Sequence, residues 1–461
     1  MKLLKELVRL FVNKFILNKS NGECAKTFCV NMGVVYIKLG QILAMQNING
    51  VFSENDRQDL LSICDSCNPV LFKEIKKIIK EEYKGDLPFS YIYKTPIGSA
   101  SVSQVHKAIL KDSGDTVAIK IKRRDIESTI EKDLAQIKFF VKHLGWMVNI
   151  TNLVGSYNAL DFYMQWIKEE VNFIHEANNI ESYTNFANSV NGKISECTNI
   201  VVPKLYKEYC RKDIIVLEYI PYNTISILKA NKDNSDKINK AMESYIKLSF
   251  YALFNNIPVV WHGDPHAGNI YIDDNGNVGF LDMGLIFELT KDEQEMTLEF
   301  FFCAYFGDYE RLYDMLESYI KKEGESKKKR FKHACKVYCK NIKSKPITSY
   351  FMDLVWVCLE YNISPPDFLY GMAKAFVCLF GIDTVYKNTT TGKSVVEKQV
   401  IEYILKDVLN NGKELKSATI NIIKAILLDD KDLLIDNIQI CSKELQYIKR
   451  ITQRKGRYKH D

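Results

Sequence analysis

The sequence predicts an α+β chain of two lobes preceded by a helical extension, and three observations carry that expectation. Apolar residues recur at helical spacing through the first ninety positions, as in Leu3, Leu4, Leu7, Val8 and Phe11 and again in Phe72, Ile75, Ile78 and Ile79. Strand-like runs of β-branched residues gather between Ile97 and Ile220. Beyond Pro221 the helical period returns and is broken by one pair of short strands. The expected division is a helical N-terminal extension over residues 1–93, a small sheet with inserted helices over 94–220, and a mainly helical part over 221–461.

Each element has a local reason. Asp86, Pro88 and Pro96 punctuate the end of the helical extension. The runs SVSQVHKAIL and TVAIKIK flank KDSGD, a Gly-containing turn, and predict a β-hairpin between Ile97 and Lys122. Residues 125–190 return to helix. NIVVPKLYKEYC and DIIVLEYI, separated by Arg211 and Lys212, predict a second hairpin. NIYIDDNGNVGFLDMG predicts two short strands about an Asp-Asn-Gly turn. FFCAYF (301–306) and FVCLFG (376–381) read as helix core, and KKEGESKKKRFKH (321–333) as a solvated loop and helix start.

Composition narrows the function classes. A chain of 461 residues with 46% hydrophobic and 26% charged residues is of globular type. Its net charge of +6 and lack of a helix-turn-helix, zinc-finger or RNA-binding signature argue against nucleic acid as a partner. The positive charge is uneven: Lys2, Lys5, Arg9, Lys14 and Lys19 face Glu6 alone, and Lys449, Arg450, Arg454, Lys455, Arg457 and Lys459 crowd the tail. Solvated chain ends account for this, as does peripheral contact with an anionic membrane. Twelve Cys without a secretory signal predict reduced thiols inside a cell, so the expected location is the cytoplasm, with peripheral contact at the inner face of the membrane as the location the basic ends allow. Cys64 and Cys67 lack a second pair for zinc, and the stretch Leu144 to Leu160 is too diluted by Asn, Ser and Thr to span a bilayer.

The chemistry centres on WHGDPHAGNI. Phosphoryl transfer needs a carboxylate that takes or orients the proton of the attacking group, and oxygen ligands that hold magnesium on the phosphates. Asp264 and Asn269 are spaced as in the kinase catalytic loop, and Asp282-Met283-Gly284 follows the short hairpin as the D-F-G segment does. TVAIKIK matches the V-A-I-K strand and offers Lys120 to the phosphates, although Lys122 has the same surroundings in sequence. Glu176 is the candidate that holds Lys120. Where a G-x-G-x-x-G loop would stand, the chain reads Gly98, Ser99, Ala100, Ser101, Val102 and Ser103. These residues, with Glu218 and Tyr219 at the end of DIIVLEYI, form the expected nucleotide-binding set for ATP or ADP. His262, Asp264 and His266 have the types of a metal cluster, but Pro265 and Gly268 make the segment turn-like. His262 is expected to hold the loop by hydrogen bonding, and His106 is either a structural histidine or a nucleotide contact.

With these motifs in this order, the chain resembles the UbiB-like (AarF/ADCK) atypical kinases over nearly its whole length. IKLGQ matches the family's K-x-G-Q with Lys38, Gly40 and Gln41. GSASVSQVH is similar to its Ala-rich loop, EEVNFIHEA to its E-x-D segment with Glu170, and HGDPHAGNI with LDMG to its catalytic and metal-binding loops. The resemblance implies a two-lobed protein-kinase-like fold, with Asp264, Lys120 and Glu176 catalytic and Asn269 and Asp282 on magnesium. It also implies a gating helix in which Lys38, Gly40 and Gln41 close the cleft and contact Glu170. It further implies ATPase or unorthodox kinase activity in support of isoprenoid-quinone or other lipid metabolism, beside quinone-pathway or lipid enzymes. Three departures stand out: Asn172 where the family has Asp, serines where it favours alanine, and a basic tail where bacterial relatives carry membrane helices. Two other readings remain: a small-molecule kinase of the aminoglycoside or choline type, which shares HGD…GN, and a nucleotide-gated scaffold without catalysis.

Overall fold

A computed structural model of the chain describes residues 2–45, 53, 55–56, 60, 69–148, 167–168, 171–255, 257–320, 324–342, 350–361, 363 and 365–383. All of these lie in Met1–Gly392, the first of two compact units; the second, Lys393–Asp461, lies outside them, as do Cys64, Cys67 and Glu170. The fold is α+β, of the two-lobed protein-kinase-like class.

The N-terminal helices are α1 (Lys2–Phe11), continued by a π-helical turn (Val12–Ile16), α2 (Asn21–Met32), α3 (Val34–Met45) and α4 (Phe72–Glu82). Helix α2 starts at a capping box in which Ser20 and Glu23 satisfy each other's backbone N–H groups. On α4, Ile75, Ile78 and Ile79 form one buried face, and they pack on a sheet of order β1-β2-β3-β5.

That sheet comprises β1 (Phe89–Ser99), β2 (Ser103–Leu110), β3 (Thr116–Lys122) and β5 (Ile214–Glu218), all antiparallel. The expected hairpin of β2 and β3 is present. Strand β1 starts eight residues before Ile97, where the strand pattern begins in sequence. It is an edge strand, mostly exposed, with Pro96 and irregular register, so it lacks the alternation that marks half-buried strands. In β3, Val117, Ile119 and Ile121 point into the α4 core. The two-residue period therefore sends Lys120 and Lys122 to the opposite face.

The second expected hairpin is corrected. Pro203 and the 3₁₀ turn Lys207–Tyr209 interrupt its first arm, which pairs with β5 through isolated bridges at Leu205–Leu217 and Arg211–Ile214 rather than a continuous ladder. The residues Ile200–Val201 form β4, which pairs in parallel with β8 (Val278–Phe280). Among the described residues, helix α5 (Ile126–Val148) and helix α6 (Phe173–Val190) are inserted between β3 and β5.

The larger lobe carries α7 (Ile225–Leu228), α8 (Ser235–Phe254), β6 (Val259–His262), β7 (Ile270–Ile272), β8 and β9 (Ile286–Leu289). The β7–β8 hairpin turns where expected, with Gly276 at φ 80°. The β6–β9 pair was not legible: each strand is four residues long, and neither shows a polar–apolar alternation. Helices α9 (Lys291–Phe306), α10 (Tyr309–Ile320), α11 (Glu325–Ile342), α12 (Tyr350–Glu360) and α13 (Asp367–Asp383) follow. Cys303, Cys335, Cys339 and Cys358 are buried there as small apolar side chains, and in the stretch 301–306 the described side chains, Cys303 and Ala304, are both core.

A second apolar cluster joins the extension to the cleft. It contains Cys29, Met32, Val35, Tyr36 and Ile37 from α2 and α3, together with Val102 before β2 and Leu285 beside β9. The two helices approach closely at Gly40, where a Cβ would lie 2.9 Å from Cys29 Sγ and 3.5 Å from Leu60 Cδ2. Gly40→Val should therefore destabilise the chain by about 1–3 kcal/mol in urea unfolding. Wild-type stability in that variant would contradict this packing.

Candidate active site

Three elements meet at one ammonium. Lys120 on β3 lies 2.6 Å from Glu176 Oε1 on α6 and 3.2 Å from Asp282 Oδ2, which follows β8. Glu176 is almost wholly buried, whereas the Asp282 side chain is 42% exposed and open to a ligand. Burial disfavours the Lys120 ammonium, but the Asp282 and Glu176 carboxylates outweigh it and hold the group above its ordinary pKa. One ammonium thus faces two carboxyl groups. Burial raises the Glu176 carboxyl to about 7 against the pull of Lys120, with Asp282 adding to the rise. Lys122, on the same face of β3, is spent elsewhere, 2.9 Å from Glu127 and 3.0 Å from Asp213. The ambiguity between the two lysines is resolved by the helix that follows: α6 brings a carboxylate to Lys120.

Helix α6 also holds the Asp282 loop. Asn179, one turn beyond Glu176, donates a buried hydrogen bond of 2.9 Å to the Met283 carbonyl. The Gly284 N–H donates to Asp282 Oδ1 at 2.9 Å, so one carboxylate oxygen is fixed by backbone and the other faces Lys120.

His262, at the end of β6, joins this loop to the catalytic-looking one. Its Nδ1 accepts the Asp264 N–H at 3.1 Å, which places the proton on Nε2 for donation to the Asp282 carbonyl at 2.6 Å. Phe280 stacks on the ring at 4.6 Å and Tyr183 meets it edge-on. Both ring nitrogens are used, so His262 frames the loop. His266 likewise accepts the Gly268 N–H through Nδ1 at 3.1 Å. Among the described residues no group of three or more His, Cys, Asp or Glu is arranged to hold a metal ion.

The loop turns on a tight contact. A Cβ on Gly263 would come within 2.6 Å of the Phe287 ring and 2.5 Å of Leu285, so only glycine fits before Asp264. Asn269 Nδ2 donates to the Asp264 carbonyl at 3.2 Å, which turns Oδ1 the other way. That oxygen and the exposed Asp282 carboxylate are hard donors of the kind magnesium takes, beside a cluster short of positive charge. Asp264 itself has a partner that sequence reasoning missed. Lys374 on α13 lies 3.1 Å from its Oδ2. The available signal was a lone charged residue in the run Phe368–Ile382, otherwise uncharged from Asp367 to Asp383.

The expected nucleotide-binding residues occupy the β1–β2 turn and the end of β5. The Ala100 N–H donates to the Ser103 carbonyl and the Arg123 N–H to that of Val102, while Arg123 Nη2 holds Ser99 Oγ at 3.0 Å. Ser103 and Val102 are buried, Gly98, Ser99 and Ser101 are half-buried, and Ala100 is exposed. A Cβ on Gly98 would make only ordinary contact with Val105 at 3.8 Å. Glu218 ends β5 and Tyr219 follows it, at the junction with the larger lobe, and Lys107 lies 4.4 Å over the Tyr219 ring. His106 is structural: fully buried, it donates to the Tyr93 carbonyl at 2.8 Å and accepts from Gln104 at 2.9 Å.

Residues 62–316, more than half of the 461, match the family model described as the ABC1 atypical kinase-like domain. The chain belongs to the ABC1 atypical kinase-like family. Similar proteins include the "Probable protein kinase UbiB" of Shewanella baltica strain OS185, 28% identical over 340 residues covering 72% of this chain and 59% of that protein. That of Shewanella sp. strain MR-4 is 29% identical over 342 residues, 71% of this chain and 59% of that protein. The chain thus spans 59% of the length of these relatives.

In this ABC1 family member, the segment expected to gate the cleft is partly described. Lys38, Gly40 and Gln41 lie on α3, and the cluster around Tyr36 and Ile37 packs that helix against Val102 of the expected phosphate loop. Glu170 lies outside the described residues. Asn172, where the resemblance leads one to expect Asp, is the N-cap of α6, and its side chain accepts the His175 N–H at 3.2 Å. Capping suits Asn and Asp equally, so α6 keeps its start without the acid. No described helix is long and apolar enough to cross a membrane.

Burial lowers the His262 pKa from 6.5 to about 4. The unfolded chain therefore binds more protons than the folded one between those values, and stability falls as pH drops through that window. His262 accounts for up to about 3 kcal/mol of that loss. Urea midpoints measured from pH 6.5 to 4 should fall less steeply in His262→Gln, and an unchanged slope would contradict a neutral buried ring.

Proposed function

We propose that this chain binds a magnesium nucleotide, ATP or ADP, beside Lys120 and acts as an atypical kinase or ATPase that serves isoprenoid-quinone or other lipid metabolism. The observation that carries this reading is the Lys120 ammonium held at 2.6 and 3.2 Å by carboxylates from two other elements. A lysine so fixed is poised to orient phosphates rather than to stabilise the fold, since a buried ion pair contributes little net stability. Glu176 holds Lys120, and Asp264 takes or orients the proton of the attacking hydroxyl or water. Asn269 and Asp282 would hold magnesium, which neutralises charge on the phosphate oxygens when bound. Gly98 to Ser103, Glu218 and Tyr219 line the nucleotide. Lys38, Gly40, Gln41 and Glu170 close the cleft.

Contact with an anionic membrane belongs to the same reading. Val8, Phe11, Phe15 and Ile16 on α1 and the π-helical turn, and Leu17 at its end, are exposed, and the Phe11 and Phe15 rings lie 4.9 Å apart. Lys5 and Arg9 are exposed among them. Apolar side chains flanked by cations favour an anionic lipid surface. Quinone-pathway or lipid enzymes follow from the family resemblance as partners at that surface.

Magnesium with ATP or ADP should raise the melting temperature, because a ligand at a hundred times its Kd stabilises the folded state by about 2.7 kcal/mol. Asp282→Asn should lose the magnesium-dependent part of that shift. No nucleotide-dependent shift with any divalent cation would overturn the reading, and phosphorylated choline or aminoglycoside in a turnover assay would assign the small-molecule reading instead. In flotation assays the chain should bind vesicles containing anionic lipid, and the pair Phe15→Asp and Ile16→Asp should release it. Equal binding by that variant would remove these helices from the membrane contact.

A further inference from the structure

Lys374 has no place in the reading above, and it lies beyond residues 62–316 matched by the family model. It is 8% exposed in α13, a helix whose other described core positions include Phe368, Leu369, Met372, Ala373, Ala375 and Phe376. A lysine in such surroundings needs a paired charge, and Asp264 Oδ2 at 3.1 Å supplies it. Two glycines fix the approach. A Cβ on Gly371, one turn before Lys374, would lie 2.5 Å from the Phe287 ring, and a Cβ on Gly263, adjacent to Asp264, would meet the other end of the same ring at 2.6 Å. The ring is held between the helix and the loop. Farther along α13, Phe376 packs on Trp261 at 5.6 Å, so the helix is anchored on both sides of Lys374. A helical glycine costs about 1 kcal/mol relative to alanine, and the close approach to Phe287 explains its use here.

We propose that Lys374 is a positioning residue for Asp264: its ammonium fixes one carboxylate oxygen, so that the other is directed at the attacking hydroxyl or water. The inference rests on Asp264 acting at the reacting group. Helix α13 then becomes part of the active site through one side chain. Misplacement of a catalytic group by an ångström costs about a hundredfold in rate, so the loss of this anchor should appear in kcat and not in nucleotide affinity.

The test measures magnesium-ATP turnover by the full chain and its variants, with melting temperatures for each. Lys374→Met should lower kcat by about tenfold or more, with KM for ATP changed less than about twofold, and Lys374→Arg should restore much of the rate. In an Asp264→Asn background Lys374→Met should have little further effect on kcat, because the residue acts through Asp264. The melting temperature should fall more on Lys374→Met in the wild type than in Asp264→Asn, where no carboxylate is orphaned. Lys374→Gln serves if the methionine variant does not fold. Wild-type kcat in Lys374→Met, or effects of the two substitutions that multiply, would overturn the inference and leave the nucleotide reading intact. Absence of turnover by the wild type would overturn both.

Discussion

The Lys120 ammonium is the constraint on which the rest of the structure depends. It sits on a strand of the small sheet, and its two carboxylates come from an inserted helix and from a loop of the larger lobe. Lys120 and Glu176, each without the other, would be a buried charge in need of compensation. Breaking such a pair by removing one member costs about 3–5 kcal/mol, although the intact pair adds little. The arrangement therefore penalises any state in which sheet, helix and loop separate. It registers the lobes on one another without being a source of net stability.

Around that point the remaining polar contacts divide between orientation and excess charge. Asn179, Gly284 and His262 hold the Asp282 loop by hydrogen bonds to backbone and side chain, and His262 extends the hold to Asp264. The cluster of Lys120, Glu176 and Asp282 sets two carboxyl groups against one ammonium, and Asp282 is the exposed one. Oxygen donors exposed beside such a cluster suit a divalent cation brought by a nucleotide. The apolar cluster of α2 and α3 with Val102 and Leu285 then links the N-terminal extension to both walls of the cleft.

Much of this was legible in sequence because it depends on short-range patterns. The β2–β3 and β7–β8 hairpins, the lysine strand and the polar loops carry turn residues and alternation within a few positions. What stayed hidden depends on distant partners. Strand β1 is an exposed edge with Pro96, β6 and β9 are only four residues each, and β4 left its expected hairpin for a parallel partner at Val278. Lys374 reads as one polar residue in an apolar helix until α13 is seen against the Asp264 loop. His106 could be read either as structural or as a nucleotide contact until Gln104 and the Tyr93 carbonyl were found on its two nitrogens.

Equilibrium titration of magnesium-ATP against the wild type, Lys120→Met and Glu176→Gln measures the importance of that ammonium most directly. Losing a charge-assisted contact to phosphate costs about 1.5–3 kcal/mol, so both variants should bind at least about tenfold more weakly while the chain remains folded. Affinity equal to that of the wild type in both would contradict a nucleotide site organised by Lys120 and Glu176.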